Sequence, residues 1–278
     1  MTYKYDISIL MPAIRTPRWK KMYESILQSC TEFSFELILV SPFDLPDDLK
    51  QYDNILLIKD YGCPTRAAQI GAIHCRGKLL YHCVDDAIFL PKSIDNSIYF
   101  YNKVCQEKDV VNMRYSDGVD YKGHSYPISH WNVCSHEELY TVPGIRKDWK
   151  WSMHFLISLE YFRYLGGWDC QFEYLNHALH DLIYRLQANG GTVYNSLVDV
   201  TTCDWMPGKS GDHAAIHNAQ ITHDAPIFNE LYSKEDTAFS RITIDPDNWK
   251  NCEAIWSRRF ANGLPKNYSQ LLLENNTL

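Results

Sequence analysis

The 278-residue chain has no apolar run near the roughly 20 residues that a membrane-spanning helix requires. Met1 to Asp6 is polar and lacks the apolar stretch of a signal peptide. No run of lysine and arginine occurs. With 27 basic against 34 acidic residues the net charge is -7, so a strong nucleic-acid footprint is not expected. The nine cysteines are odd in number and scattered, with no C-x-x-C pair and no zinc-like cluster. Reduced, buried thiols and a cytoplasmic location are the expectation. Three motifs are missing as well: the G-x-x-x-x-G-K phosphate loop, the G-x-G-x-x-G dinucleotide fingerprint and the H-E-x-x-H zinc helix. His136-Glu137-Glu138 lacks the second histidine of the last.

What is present points to a globular chain. Hydrophobic residues make up 45% of the chain, enough to bury a sizeable core. One α/β domain with a smaller appendage is the natural reading. Aromatics reach 14%; sugar rings stack on such faces, though most of these side chains read as core.

Strand and helix patterns alternate along the chain. Ile7 to Met11 reads as a buried strand stopped by Pro12, and Pro17 to Ser29 as a helix with Met22, Ile26 and Leu27 on its apolar side. Phe35–Val40 and Ile55–Ile58 read as strands, and Pro64–Cys75 as a helix. Leu79–Val84 is a strand ending on Asp85-Asp86. Met113 to Tyr140, rich in Tyr, His and Trp, shows no period and reads as a lid or binding loop. Then come a strand at Met153–Leu159, a short helix at Glu160–Leu165 closed by Gly166-Gly167, a helix at Leu175–Ala188 and a strand at Thr192–Val200. From Cys203 onward the chain reads as loop-rich. Such alternation predicts a doubly wound, mostly parallel, Rossmann-like sheet, with ligands at the carboxyl ends of its strands. Those ends carry Pro12 to Arg15, Ser41, Asp60 and Asp85-Asp86.

Three constellations carry candidate chemistry. In an extended chain the two carboxylates of Asp85-Asp86 point to opposite faces, so one can hold Mg²⁺ or Mn²⁺ against a diphosphate. Read alone, the pair is equally a solvated turn. Asp181 and Arg185 share a helical face, with His177 one turn earlier, an arrangement that suits either an oriented general base or an ordinary ion pair. Gly211-Asp212-His213, with His217 four residues on, is either a metal ligand set or a polar loop.

In this order the constellations resemble the inverting family 2 glycosyltransferases, of the glycosyltransferase A fold. The resemblance runs from about Ile7 to Gly191, with a looser echo to about Ala219. Ile7–Arg15 resembles the family's first strand and nucleotide loop. Glu36–Val40 resembles the second strand, with Ser41 where an aspartate is usual. Gly62–Gly77 resembles the helix before the metal strand, with Ala68-Gln69 in place of Arg-Asn and Arg66 half a turn earlier. Val84-Asp85-Asp86 resembles the D-x-D motif with Val84 in place of the first acid. Gly166-Gly167-Trp168-Asp169 and the D-L-x-x-R of Asp181–Arg185 resemble the later signatures. Ala178-Leu179 stands where the family has Glu-Asp.

The resemblance implies a glycosyltransferase with a catalytic domain over 1–220, its nucleotide-sugar half about 1–110 and its acceptor half about 111–220. An extension over 221–278 would pack on that domain. It implies a UDP-sugar donor lying over Pro12, Ala13 and Arg15, with Ser41, Asp60, Arg66, Gln69 and Asp85 around the nucleotide. Mn²⁺ or Mg²⁺ would sit on Asp86, with His213 as a further ligand. The base would be Asp181 or Asp169, Asp181 being favoured by motif position. Acceptors range over a glycan, a lipid-linked sugar, a protein side chain or a modified nucleobase; the acidic balance disfavours long nucleic acid. Two rivals stand beside this reading. A nucleotidyltransferase shares the fold but needs a Gly-rich loop where Ile14 to Arg18 has none. The other is a sugar- or nucleotide-binding module without catalysis.

Overall fold

A computed structural model describes residues 3–119, 125–129, 150, 152–196, 200–203, 216 and 219–232. Strand β1 (Tyr5–Pro12) is buried from Ile7 to Met11, and its side chains alternate between two cores. Ile7, Ile9 and Met11 enter one and Leu10 the other, as period two requires. Strands β2 (Phe35–Ser41), β3 (Ile55–Lys59) and β4 (Gly77–His82) lie parallel to it, with β2 and β4 on either side of β1. Short strands complete the sheet: β6 (Val110–Asn112), β9 (Phe155–Ser158) and β10 (Val193–Asn195). The order is β10-β6-β9-β4-β1-β2-β3, and β9 runs antiparallel to both its neighbours.

Helices cover both faces. Helix α1 (Thr16–Ser29) starts with Pro17 in its first turn and buries Trp19, Met22, Tyr23 and Ile26 at helical spacing. Leu27, expected on that side, is exposed instead. Helix α2 (Pro64–Ile73) covers the opposite face with Ala67, Ala68 and Ala72. Its Gly71 lets the helix lie close, because a Cβ there would run into Leu10 and Val40. The chain thus covers one face on leaving β1 and the other before β4. That places the topological switch, and the crevice that goes with it, at the carboxyl ends of β1 and β4.

Helix α3 (Ser93–Val104), helix α4 (Leu159–Tyr164) and helix α5 (Leu175–Ala188) follow. A second sheet has the order β5-β11-β7-β8, from β5 (Ile88–Phe89), β7 (Tyr115–Val119), β8 (Ser125–Ser129) and β11 (Thr201–Cys203). The segment expected to be a loop from Met113 therefore contains two strands, paired with each other. The region expected to be loop-rich after Cys203 contains a π-helical turn (Gln220–Asp224) running into α6 (Ala225–Tyr232). Phe228 and Tyr232 of α6 pack against Tyr184 of α5, with ring centroids 6.2 and 5.7 Å away. Of the strand expected over Thr192–Val200, the described residues show β10 at Val193–Asn195.

Asp85 and Asp86 do not extend β4. The strand ends at His82, and Val84 to Ala87 forms a turn closed by the Ala87 N–H donating to the Val84 carbonyl, 3.3 Å. The opposite-face geometry of an extended pair is replaced by one in which each carboxylate has its own surroundings.

Among the described residues no helix is long and apolar enough to cross a membrane. Cys30, Cys63, Cys75, Cys83 and Cys105 are free thiols, and burial pushes those of Cys30, Cys63, Cys83 and Cys105 up to about 12.

Candidate functional site

A cavity of about 190 Å³ opens where the crevice rule places it, at the carboxyl ends of the central strands. Pro12 to Arg15 follow β1 on one wall. Val40 and Pro42 follow β2, Asp60 and Gly62 follow β3, and His82 and Val84 come from β4. The far wall is Met153, His154 and the start of α5, including Leu179. Most of this lining is apolar.

The loop after β1 owes its shape to Asp85. This carboxylate is wholly buried. One oxygen accepts from the Ile14 and Arg15 N–H groups at 2.7 and 2.6 Å and from the Trp19 indole N–H at 3.1 Å. The other pairs with the Arg15 guanidinium. Asp85 therefore holds the loop from beneath, and Arg15 is fixed on the cleft wall by the same contact.

Asp86 is different. It is 7% exposed and lies 3.9 Å from the Arg15 guanidinium. Burial pushes its carboxyl up to about 6, Arg15 pulls it down and Asp85 pushes it up. Asp86 does not itself line the cavity, though Arg15 and Val84 beside it do; a carboxylate pushed up by burial at that position suits a divalent cation. Among the described residues no group of three or more His, Cys, Asp or Glu offers an all-protein cage. His213 and His217 lie outside the described residues, as does most of the aromatic stretch to Tyr140.

Asp60 and Arg66 form a buried ion pair. The guanidinium donates to both carboxylate oxygens at 2.7 to 3.1 Å, and the Gly62 N–H donates at 2.9 Å. Asp60 reaches the cleft, and Arg66 stands behind it. Ser41 is buried and accepts from the Phe43 N–H at 3.0 Å. Gln69 is also buried and faces the turn after α4: its Oε1 accepts from the Trp168 N–H at 2.9 Å and its Nε2 donates to the Gly166 carbonyl at 3.3 Å. Of the residues expected around the nucleotide, Pro12, Ala13, Arg15 and Asp60 line the cleft; Ser41, Arg66, Gln69 and Asp85 shape it from behind.

The two expected bases sit next to that turn, and neither lines the cleft. Asp181 accepts from the Tyr232 hydroxyl at 2.6 Å and from Arg185 Nε at 2.8 Å. Arg185 also donates to the Leu165 and Gly167 carbonyls. Asp169 is half-buried and accepts from the Gln171 N–H and side-chain amide at 2.8 and 3.0 Å. Burial, and then the nearby Asp181 charge, push its carboxyl up.

Three features were not foreseen. Leu179, noted only as a departure, lines the cavity, as does His82 from the end of β4. Asp224 on the π-helical turn accepts from the Glu173 and Tyr174 N–H groups at 2.9 and 2.7 Å and so sets the far wall. A histidine alternating with core residues in a strand was the one available signal; the Asp224 contact spans 51 residues and left none.

A mostly parallel seven-stranded sheet with helices on both faces, its cleft at the β1–β4 ends, is a glycosyltransferase fold of the A type. It is shared with solved structures of TarS from S. aureus. The crystal structure of TarS 1-349 in complex with UDP matches with a TM-score of 0.53 at 10% identity, over 94% of this chain and 98% of that one. The TarS 1-349 structure matches with 0.53 at 9% identity, over 94% and 98%. A further TarS structure matches with 0.51 at 12% identity, over 89% of this chain and 48% of that one. No protein-family model and no curated protein matches the chain. The likeness at these identities is one of fold.

Proposed function

We propose that the chain is a glycosyltransferase that moves a sugar from a UDP-sugar to an acceptor hydroxyl with inversion. One observation carries the reading: in a fold like that of TarS, one structure of which holds UDP, the strand-end cleft is walled by Arg15, with Asp86 3.9 Å from that guanidinium. The nucleoside lies over Pro12 to Arg15 with Asp60 at its edge, and the sugar points toward α5.

Asp86 would hold Mn²⁺ or Mg²⁺, with His213 as the expected further ligand. A cation bound there offsets the charge of the departing diphosphate. Arg15 donates to the same diphosphate from beside Asp86, and Asp85 keeps Arg15 and the loop amides in place. The acceptor oxygen attacks the anomeric carbon while the bond from that carbon to the diphosphate oxygen breaks on the other face. UDP leaves with the electron pair, and a carboxylate takes the acceptor's proton. Asp169 suits that step better than Asp181. It is partly exposed, its carboxyl is pushed up and its oxygens are held by one neighbour, Gln171, whereas those of Asp181 are held by the buried Arg185 guanidinium and by Tyr232. The free thiols favour a reducing compartment, the cytoplasm.

A second reading is a module that binds a nucleotide-sugar without transferring it. Leu179 on the cleft wall, where the resemblance places an acid, favours it.

Thermal shift of the metal-free protein with UDP, UDP-glucose, UDP-galactose and UDP-N-acetylglucosamine, each with chelator or Mn²⁺, tests both. A UDP-sugar raises the melting temperature, Mn²⁺ raises it further, and Asp86→Asn removes only the Mn²⁺ increment. Equal shifts in chelator and Mn²⁺ overturn the metal assignment. Binding with no UDP release on any acceptor favours the second reading.

A further inference from the structure

His82 ends β4, and its ring is wholly buried on the wall of the cleft. It stacks on Phe155 with centroids 5.6 Å apart and stands edge-on to Trp168 at 5.2 Å. Its Nδ1 lies 3.1 Å from the Met153 carbonyl oxygen. A carbonyl only accepts, so Nδ1 carries the hydrogen and Nε2 presents a lone pair. Burial pushes the ring down to about 4, which keeps it neutral near pH 7. Nε2 is buried and has no hydrogen-bond partner among the described residues. Trp168, in contact with the same ring, has an indole N–H in the same condition.

A buried acceptor with no donor is costly unless something else supplies the donor. Asp60 and Asp85 show how this fold treats a buried polar group: each of their carboxylates is fully engaged. His82 is an exception, and it borders the cavity. The strand order β9-β4-β1-β2-β3 puts it on the β4–β9 side, away from Pro42 and Asp60 and beside Met153 and Leu179. A nucleoside over β1 to β3 directs its sugar to that side. A hydroxyl donates, so it answers the orphan on His82.

Resting on the reading of the cleft as a UDP-sugar site, we propose that His82 is a specificity-determining residue whose Nε2 accepts a hydrogen bond from a hydroxyl of the donor's sugar. Sites built to bond a hydroxyl reject ligands that lack it, because the buried partner is left unpaired. His82 reads the sugar and is indifferent to the nucleoside.

Calorimetric titration of the full chain with UDP, UDP-glucose, UDP-galactose and UDP-N-acetylglucosamine decides the matter, using wild type, His82→Phe and His82→Gln. Phenylalanine keeps the stacking and removes the acceptor; glutamine offers a carbonyl acceptor. For the tightest UDP-sugar, the ratio of its Kd to that of UDP rises about tenfold or more in His82→Phe, the scale of one buried hydrogen bond left unmade. His82→Gln recovers part of it, and UDP affinity stays within about twofold of wild type in both. A ratio unchanged in His82→Phe, with wild type binding UDP-sugar, overturns the role of His82 and leaves the site reading standing. Loss of UDP affinity in both variants means that His82 supports the fold, and the proposal falls. Failure of wild type to bind UDP and every UDP-sugar overturns the site reading, and this proposal with it.

Discussion

Arg185 is 6% exposed and pairs with Asp181, whose second oxygen accepts from Tyr232 of α6. Removing that charge strands a buried guanidinium. Asp181→Asn should therefore lower stability by about 3 kcal/mol, the usual cost of breaking a buried pair from one side, read as a fall in denaturation midpoint. Among the described residues the Asp169 carboxylate is held by its neighbour Gln171, and it is half-buried, so Asp169→Asn should fold nearly as well as wild type. As the general base it should lose transfer by about a hundredfold or more. If Asp169→Asn keeps transfer within about tenfold, a barrier change of roughly 1.4 kcal/mol, the proton goes elsewhere. The D-L-x-x-R spacing made Asp181 stand out in the sequence, but it could not show that Tyr232, 51 residues on, takes one of its oxygens.

The turn between α4 and α5 shows how separate elements are tied. Gly166 and Gly167 have φ of +84° and +71°, the left-handed region where a Cβ is strained. Gln69 from α2 and Arg185 from α5 both bond this turn, and a Cβ on Gly167 would strike the Gln69 amide. Gly167→Ala should cost at least about 1–2 kcal/mol from backbone strain alone. A melting temperature equal to wild type would mean that the turn relaxes freely. The pair of glycines was legible because a helix commonly stops at such residues. Strands β1 to β4 and helices α1, α2 and α5 were legible for a similar reason: their apolar residues repeat at two or at three to four. Helix α3 was not. Its Ile98-Tyr99-Phe100-Tyr101 has the composition of a strand, and only the burial of Ile94, Ile98 and Tyr101 on one side makes it a helix. Strands β5 and β7 owe their place to pairing with β11, far away in sequence.

At the scale of the molecule, burial of ionisable groups sets how the fold responds to acid. Burial pushes His82 and His177 down to about 4. Their folded forms bind fewer protons than the unfolded chain, so the stability they contribute is complete above about pH 6.5 and is lost as pH falls through 4. Asp86, pushed up to about 6, works the other way: its contribution is complete below about pH 3.8 and is lost as pH rises through 6. Asp169, also pushed up by burial, adds to the Asp86 effect and offsets part of that of the histidines; with both histidines acting, the melting temperature of the metal-free protein should fall between pH 6.5 and 4. His82→Phe should make that fall shallower; an unchanged profile contradicts the assignment.

The place of the cleft was legible in the sequence, because alternating strands and helices dictate where a doubly wound sheet opens. The resemblance set Asp86 apart from Asp85, but the donors that hold Asp85 were not legible, since Ile14, Arg15 and Trp19 lie 66 to 71 residues away in sequence. The central claim is that this cleft takes the nucleotide of a sugar donor. Its most direct test is a crystal structure of the chain grown with UDP. The account predicts uridine along Pro12 to Arg15 with Asp60 at its edge and the diphosphate beside Arg15 and Asp86. UDP bound on the β5-β11-β7-β8 sheet or against α6, with this cleft empty, would contradict it.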